Sequence, residues 1–189
     1  SVKHFESAMW LLLEFVEGTS LQRLRVDKKV RIGESHMLLI ALDLISSLKA
    51  LENVGLVHGD LTPSNILIND QGKTRLIDFS SSVANGTPRT TPGTLGFVRS
   101  TDFAAKTLQF SDDQYAVGCV LYWLLVAELP MTICDPNGRT VVARPQKPEA
   151  CSTCANLLWD TAKMLTSGSK KSCGVLEKLT EGIFHTDHG

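Results

Sequence analysis

Apolar positions recur at helical spacing across Glu34 to Glu52, where Met37, Leu38, Ala41, Leu44, Ile45, Leu48 and Leu51 fall near i, i+3, i+4 and i+7. An amphipathic core helix is predicted there, with Ser35 as its N-cap and Asn53 and Gly55 as stop signals. Upstream, the apolar and aromatic run Trp10 to Val16, ended by Glu17-Gly18, reads as a buried strand. Leu21 to Leu24 fits a short helix, and the polar, basic Val26 to Gly33 a connection. Downstream, Ile66 to Ile68 and Thr74 to Ile77 read as a hairpin, because Asn69-Asp70-Gln71-Gly72 between them is all turn-forming. Ser80 to Ser100 is rich in Ser, Thr, Gly and Pro and predicts a long loop, of the length that is usually functional or disordered.

Asp113 to Glu128 is apolar nearly all round, which marks a buried helix ended by Pro130. Thr132 to Pro148 looks irregular, and Ala155 to Leu165 and Gly174 to Phe184 look helical. No internal repeat is found. A helix, a hairpin, a long loop and then helices only give an α+β fold.

Composition narrows the classes. The chain has 189 residues, enough for one domain with a sizeable core. Apolar residues make up 43% and charged residues 21%, ordinary values for a globular protein. A net charge of −1 with scattered Lys and Arg gives no sign of a nucleic-acid or membrane-surface partner. The longest apolar stretch, Ala116 to Ala127, is shorter than the roughly 20 residues that span a bilayer. Five cysteines (Cys119, Cys134, Cys151, Cys154, Cys173) at irregular spacing do not form a secreted disulfide pattern, so a reducing, cytoplasmic setting is expected. No signal peptide is evident, and the chain opens at Ser1 inside a foldable pattern, so a segment upstream is expected.

The chemistry concentrates between the first long helix and the hairpin. His58-Gly59-Asp60-Leu61-Thr62-Pro63-Ser64-Asn65 is followed, thirteen residues after Asn65, by Asp78-Phe79-Ser80. An aspartate and an asparagine separated by a tight turn, with a second aspartate on the neighbouring strand, can converge on one point. That arrangement positions a hydroxyl and holds Mg²⁺ on nucleotide phosphates.

This segment resembles the catalytic loop H-R-D-L-x-x-x-N and the D-F-G of protein kinases, and both spacings fit. Further stretches agree. Leu12 to Gly18 resembles the last small-lobe strand and the hinge. Gly93-Thr94-Leu95-Gly96-Phe97 resembles the end of the activation segment. Asp113 to Gly118 resembles the start of the central helix, whose aspartate braces the catalytic loop. The match runs from about Trp10 to Pro130.

The resemblance implies a protein-kinase-like fold over residues 1–189. Residues 1–16 would be the end of the small lobe and the start of the hinge, and residues 17–189 the large, mostly helical lobe. It implies Asp60 as the group that accepts or orients the hydroxyl proton, and Asn65 and Asp78 as Mg²⁺ ligands. Glu14, Val16 and Ser20 would contact the nucleotide at the hinge, and Leu67 would lie under the adenine. ATP and Mg²⁺ are the implied cofactors. A protein Ser/Thr hydroxyl is the implied acceptor, with room for a regulatory protein partner. His58 is given a structural role.

The departures bear on activity. Gly59 replaces the arginine that pairs with an activation-loop phosphate, so control through that pair is not expected, although Thr87, Thr90, Thr91 and Thr94 are modifiable. Thr62 stands where serine/threonine kinases usually carry a lysine. Ser80 replaces the glycine of D-F-G, with a loss of backbone freedom. Arg99-Ser100-Thr101 replaces A-P-E, and no arginine follows Arg144 to pair with that missing glutamate. No Gly-rich loop, V-A-I-K lysine or facing helix glutamate is found. The favoured expectation is a fragment of a longer kinase, over a truncated, inactive relative.

Two other readings stay open. His58-Gly59-Asp60 matches the H-G-D form of aminoglycoside- and choline-kinase-like phosphotransferases. A pseudokinase lobe that docks partners would explain Gly59, Thr62 and Thr101, but has no physical need for Asp60, Asn65 and Asp78 together. Cys151 and Cys154 with His185 and His188 have zinc-ligand spacing, against the simpler reading of small core residues. Trp10, Trp123 and Trp159 read as core residues.

Overall fold

The computed structural model describes residues 2–5, 8–11, 13–26, 30–90, 93–99, 107–134, 140–143, 145–147 and 152–167. Side chains are described for 13–25, 30–90, 93–99, 107–130, 145–147 and 152–167.

Three helices make the core. α2 spans Glu34–Asn53, α3 spans Phe110–Val126 and α4 spans Thr153–Thr166. The periodic face of α2 (Met37, Leu38, Ala41, Leu44, Ile45 and Leu48) is buried as its spacing predicts. α3 is buried on nearly every side, because α2 covers one face and α4 another. The closest packing is at Gly118, where a Cβ would fall 2.7 Å from Thr166 Cγ2, so only glycine lets α3 and α4 approach this far. Tyr122 and Trp159 meet edge to face across the same interface, with ring centroids 5.0 Å apart.

The helix ends differ in detail from expectation. The N-cap of α2 is Gly33, in extended conformation and without a side-chain cap bond; Ser35 lies inside the first turn and cannot cap it. α3 begins three residues before Asp113, because Gln109 and Asp112 form a reciprocal capping box. It stops at Val126, with Ala127 in the left-handed conformation, ahead of Pro130.

Short strands surround this core. β1 (Val2–Phe5) pairs antiparallel with β2 (Ala8–Leu11). The strand expected over Trp10 to Val16 therefore ends at Leu11, where the register with Val2 runs out, and residues 13–17 form no regular element. They are not buried: Leu13 is 61% and Phe15 84% exposed. β3 (Thr19–Ser20) leads into α1 (Leu21–Val26). It pairs with β5 (Ile66–Ile68), which forms the expected hairpin with β6 (Thr74–Leu76). Asp43 of α2 accepts the Thr74 N–H at 2.9 Å and fixes the hairpin to the helix.

β4 (Leu56–Val57) pairs with β7 (Val83–Ala84) inside the expected long loop, after a 3₁₀ turn at Phe79–Ser81. The segment expected to be irregular after Pro130 contains a second hairpin, β8 (Met131–Cys134) with β9 (Thr140–Ala143). The helix expected over Gly174 to Phe184 lies outside the described residues. Among the described residues no helix is long and apolar enough to cross a membrane. None of them forms a cluster of three metal-binding side chains; Cys151, His185 and His188 lie outside the described residues. Trp159 is buried as a core residue and Trp123 is half-buried.

Candidate active site

Residues 58–65 are held from below by α3. Asp113, in its first turn, is buried and accepts two backbone N–H bonds, from His58 at 2.6 Å and from Gly59 at 3.0 Å. Burial pushes its carboxyl up to about 6, against the opposing pull of the Gly59 and His58 N–H groups. His58 is fully buried, and its Nε2 lies 3.1 Å from the Ile77 carbonyl. Its Nδ1 accepts the Asp60 N–H at 3.4 Å, so Nε2 is the protonated nitrogen that donates to Ile77. Desolvation lowers the His58 pKa, against the raising pull of the Ile77 carbonyl and of Asp60 and Asp78.

Gly59 has φ +82°, and a Cβ there would lie 2.7 Å from the Ser81 carbonyl oxygen. The backbone itself thus excludes a side chain at this position. Ser80, by contrast, sits in the 3₁₀ turn and is not among the positive-φ residues, so it needs no glycine's freedom.

The candidate catalytic and metal-binding groups follow. Asn65 Nδ2 donates to the Asp60 carbonyl at 2.9 Å and approaches Asp60 Oδ2 at 3.4 Å. Asn65 N–H and C=O bond to Thr62 and Ile77, so both ends of the turn are fixed. Asp78 is held at φ 62°, ψ 75°, an uncommon conformation for a residue other than glycine. Such strain collects at functional sites. Its Oδ1 accepts the Ser80 N–H at 3.2 Å. Hydrogen bonding by Ser80, hydroxyl first and N–H second, holds the Asp78 carboxyl below the usual carboxylate range.

One contact was not anticipated. Thr94 Oγ1 donates to Asp60 Oδ1 at 2.7 Å, tying the loop after the hairpin to the catalytic loop. Asp60, Asn65, Asp78 and Thr94 share one open cleft of about 410 Å³, which Thr62 also lines. A second unanticipated tie is Arg89, whose side chain is only 6% exposed and lies 3.6 Å from Asp112, the neighbour of Asp113.

The remaining candidates stand apart. Ser20 and Leu67 face each other across the β3–β5 register, and neither lines the cleft. Glu14 is exposed and Val16 half-buried, and neither lines it either. Sequence spacing thus brings Asp60, Asn65 and Asp78 together, while the hinge candidates are not joined to them by any described contact.

Comparison with known proteins decides the family. Its description, protein kinase domain, matches residues 1–181. The chain belongs to the protein kinase family. It is 23% identical over 161 residues to a probable serine/threonine-protein kinase PknB of Lactococcus lactis, covering 82% of this chain and 25% of that protein. It is 33% identical over 121 residues to the serine/threonine-protein kinase RUNKEL of Arabidopsis thaliana, covering 60% of this chain and 9% of that protein. The chain therefore spans a quarter or less of these two relatives' length. The solved structure of the Cydia pomonella granulovirus kinase PK-1 superposes with a TM-score of 0.69 at 16% identity, covering 94% of this chain and 72% of that one. That likeness establishes the kinase fold.

Proposed function

We propose that this kinase chain transfers a phosphoryl group from ATP to a Ser or Thr hydroxyl of a protein. The observation that carries the reading is the convergence of Asp60, Asn65 and Asp78 on one cleft, with Thr94 fixing the orientation of the Asp60 carboxylate. The names of the curated relatives support the Ser/Thr preference.

The donors present fit Mg²⁺ and ATP. Asn65 commits its Nδ2 to the Asp60 carbonyl, which leaves its amide oxygen as a ligand. Asp78, whose Oδ1 accepts the Ser80 N–H, brings a carboxylate to the same cleft. Both are hard oxygen donors of the kind Mg²⁺ takes. When bound, Mg²⁺ and ATP supply the phosphoryl group and the neutralising charge.

The chain's own residues do the positioning. Asp60 receives the hydrogen bond of the incoming hydroxyl and takes its proton. Thr94 and Asn65 keep the carboxylate from turning away. Asp113 and His58 hold the loop rigid beneath it. Positioning of this kind lowers the barrier by prepaid orientation. Residues 13–20, with Leu67, are proposed as the adenine side.

Thermal shift with ATP, with and without Mg²⁺, tests binding: a Mg²⁺-dependent rise in Tm is expected. Asp60→Asn tests the chemistry. It should lower turnover by about 10²-fold or more with little change in the ATP-induced shift. Turnover that survives the change removes Asp60 from the role.

A further inference from the structure

Arg89 is a buried charge that the phosphoryl-transfer groups leave unexplained. Its backbone is delivered by a short ladder beside α3. The Gly86 N–H bonds to the Leu108 carbonyl and the Leu108 N–H to the Thr87 carbonyl, both at 2.8 Å, and Pro88 bridges to Thr107. α3 begins two residues after Leu108. The Arg89 side chain thus reaches the first turn of that helix, where its Nη2 lies 3.6 Å from Asp112 Oδ2. The same Asp112 oxygen accepts the Gln109 N–H at 2.8 Å, so the helix cap fixes the carboxylate that Arg89 meets.

The guanidinium also meets the segment that carries Thr94. A Cβ on Gly93 would lie 3.1 Å from Arg89 Nη1 and 2.6 Å from Val98 Cγ2. Gly93 is therefore held between Arg89 and Val98, at φ +71°, a conformation that glycine adopts without strain. The next residue is Thr94, whose hydroxyl donates to Asp60 Oδ1. A line of contacts runs from the α3 cap through Asp112, Arg89, Gly93 and Thr94 to Asp60. Arg89, Asp112 and Asp60 also line one small cavity beneath the catalytic loop.

Stability does not account for the arginine. Its Nε and Nη1 have no hydrogen-bond partner among the described residues. A buried guanidinium with spare donors costs free energy that an apolar side chain of similar size does not. What the charge supplies is a fixed point for Gly93, anchored to the helix on which the catalytic loop already rests.

We propose that Arg89 is a positioning residue for phosphoryl transfer: paired with Asp112, it seats Gly93 so that the Thr94 hydroxyl stays on Asp60. It acts through Thr94 and contacts none of the reacting groups. The assignment rests on reading Asp60 as the group that receives the acceptor hydroxyl.

Steady-state kinetics and amide exchange on the whole chain test it. Arg89→Met removes the cation and keeps the bulk. Asp112→Asn removes the partner charge and keeps an acceptor for the Gln109 N–H. Each should lower kcat by about five- to tenfold, with the ATP-induced thermal shift unchanged. The two together should cost no more than either alone, because a single pair is removed. Arg89→Met added to Thr94→Val should likewise cost no more than Thr94→Val. The Tm of the Arg89→Met/Asp112→Asn double variant should stay close to wild type, since replacing a whole buried pair is often neutral. Arg89→Lys should recover part of the rate. In Arg89→Met the Phe97 amide, bonded to the Thr94 carbonyl at 3.1 Å, should exchange faster while the α4 amides do not change.

An unchanged kcat, losses that add in either double variant, or unchanged exchange at Phe97 overturns the assignment. So does a fall in Tm that accompanies the fall in kcat in the charge-free double variant, because it would make the role one of stability. If the wild type transfers no phosphoryl group, the phosphoryl-transfer reading falls and exchange decides the rest. Faster exchange at Phe97 alone then keeps the seating of Thr94 by Arg89, and equal exchange removes it.

Discussion

Two stretches of similar length serve the proposed site, and they are held in opposite ways. Residues 56–65 are fastened at nearly every step: β4 pairs with β7, Asp113 holds the His58 and Gly59 N–H groups, and Asn65 bonds through both its backbone and its amide. Residues 13–20 have one short pairing, of β3 with β5, and carry Leu13 and Phe15 in solvent. The acceptor half of the site is thus built on the helical core. The nucleotide half offers apolar surface that a covering element would bury. The proposed site is therefore ordered on its acceptor side and open on its proposed nucleotide side.

The sharpest way to break this contrast is at Asp113. An asparagine there keeps one acceptor and turns its amide group towards the other buried N–H. We expect a loss of about 3 kcal/mol, read as a fall in Tm, because a buried donor left without a partner costs about 1–3 kcal/mol. Hydrogen exchange at His58 and Gly59 should rise more than at the α4 amides. The penalty should also depend on pH. Because burial raises the folded pKa of Asp113 from 3.8 to about 6, the folded state binds a proton more readily than the unfolded state in that window. Its contribution is thus full below 3.8 and is lost as pH rises through about 6. The wild type's advantage over Asp113→Asn should therefore be larger at pH 5 than at pH 8. An advantage that grows with pH would show that the carboxylate is not desolvated.

Gly59 is the next test. An alanine must adopt φ +82° and push against the Ser81 carbonyl 2.7 Å away, so a loss of about 2 kcal/mol is expected from calorimetry. A neutral outcome would mean that the loop relaxes easily and that the two stretches differ less than their bonding indicates.

These particulars also show what a sequence exposes. α2 was legible because a period near 3.6 needs only local sequence, α3 because a long apolar run ended by a proline stands out, and the β5–β6 hairpin because its turn residues announce it. The β4–β7 pair was not, since each strand is two residues long and exists only because tertiary packing brings residues 56 and 84 together. β8 and β9 were missed for want of apolar runs long enough to stand out. At the site, Asp60, Asn65 and Asp78 were legible as spacing. The Thr94 hydroxyl on Asp60 was not: both residues lie in stretches the sequence picks out, but they are 34 positions apart and no spacing joins them. Arg89 on Asp112 was hidden for the same reason.

That hidden contact gives a smaller, catalytic test. Thr94→Val removes the hydroxyl while keeping the shape, leaving Asp60 free to turn. About a tenfold fall in kcat is expected, with the ATP-induced thermal shift unchanged, since a lost hydrogen bond to a charged group is worth roughly 1.5 kcal/mol. Thr94→Ser should restore most of the rate. If Val and Ser behave alike, the hydroxyl does not position Asp60.

The smallest effect belongs to the other stretch. Phe15 is 84% exposed, so Phe15→Ser removes little buried surface and should change the stability of this chain by under about 0.5 kcal/mol. A phenylalanine in a packed position would cost about 3–5 kcal/mol on truncation, an order of magnitude more. The measurement is a denaturant midpoint for the two proteins side by side, with and without Mg²⁺ and ATP. Without nucleotide the midpoints should coincide. With nucleotide, a smaller shift for Phe15→Ser would place residues 13–17 against the adenine, as proposed. Equal shifts would move the adenine away from this segment while leaving the helix-bound half of the site untouched. A large loss without nucleotide would overturn the contrast itself, because it would show that Phe15 is packed and that both stretches are held by the core.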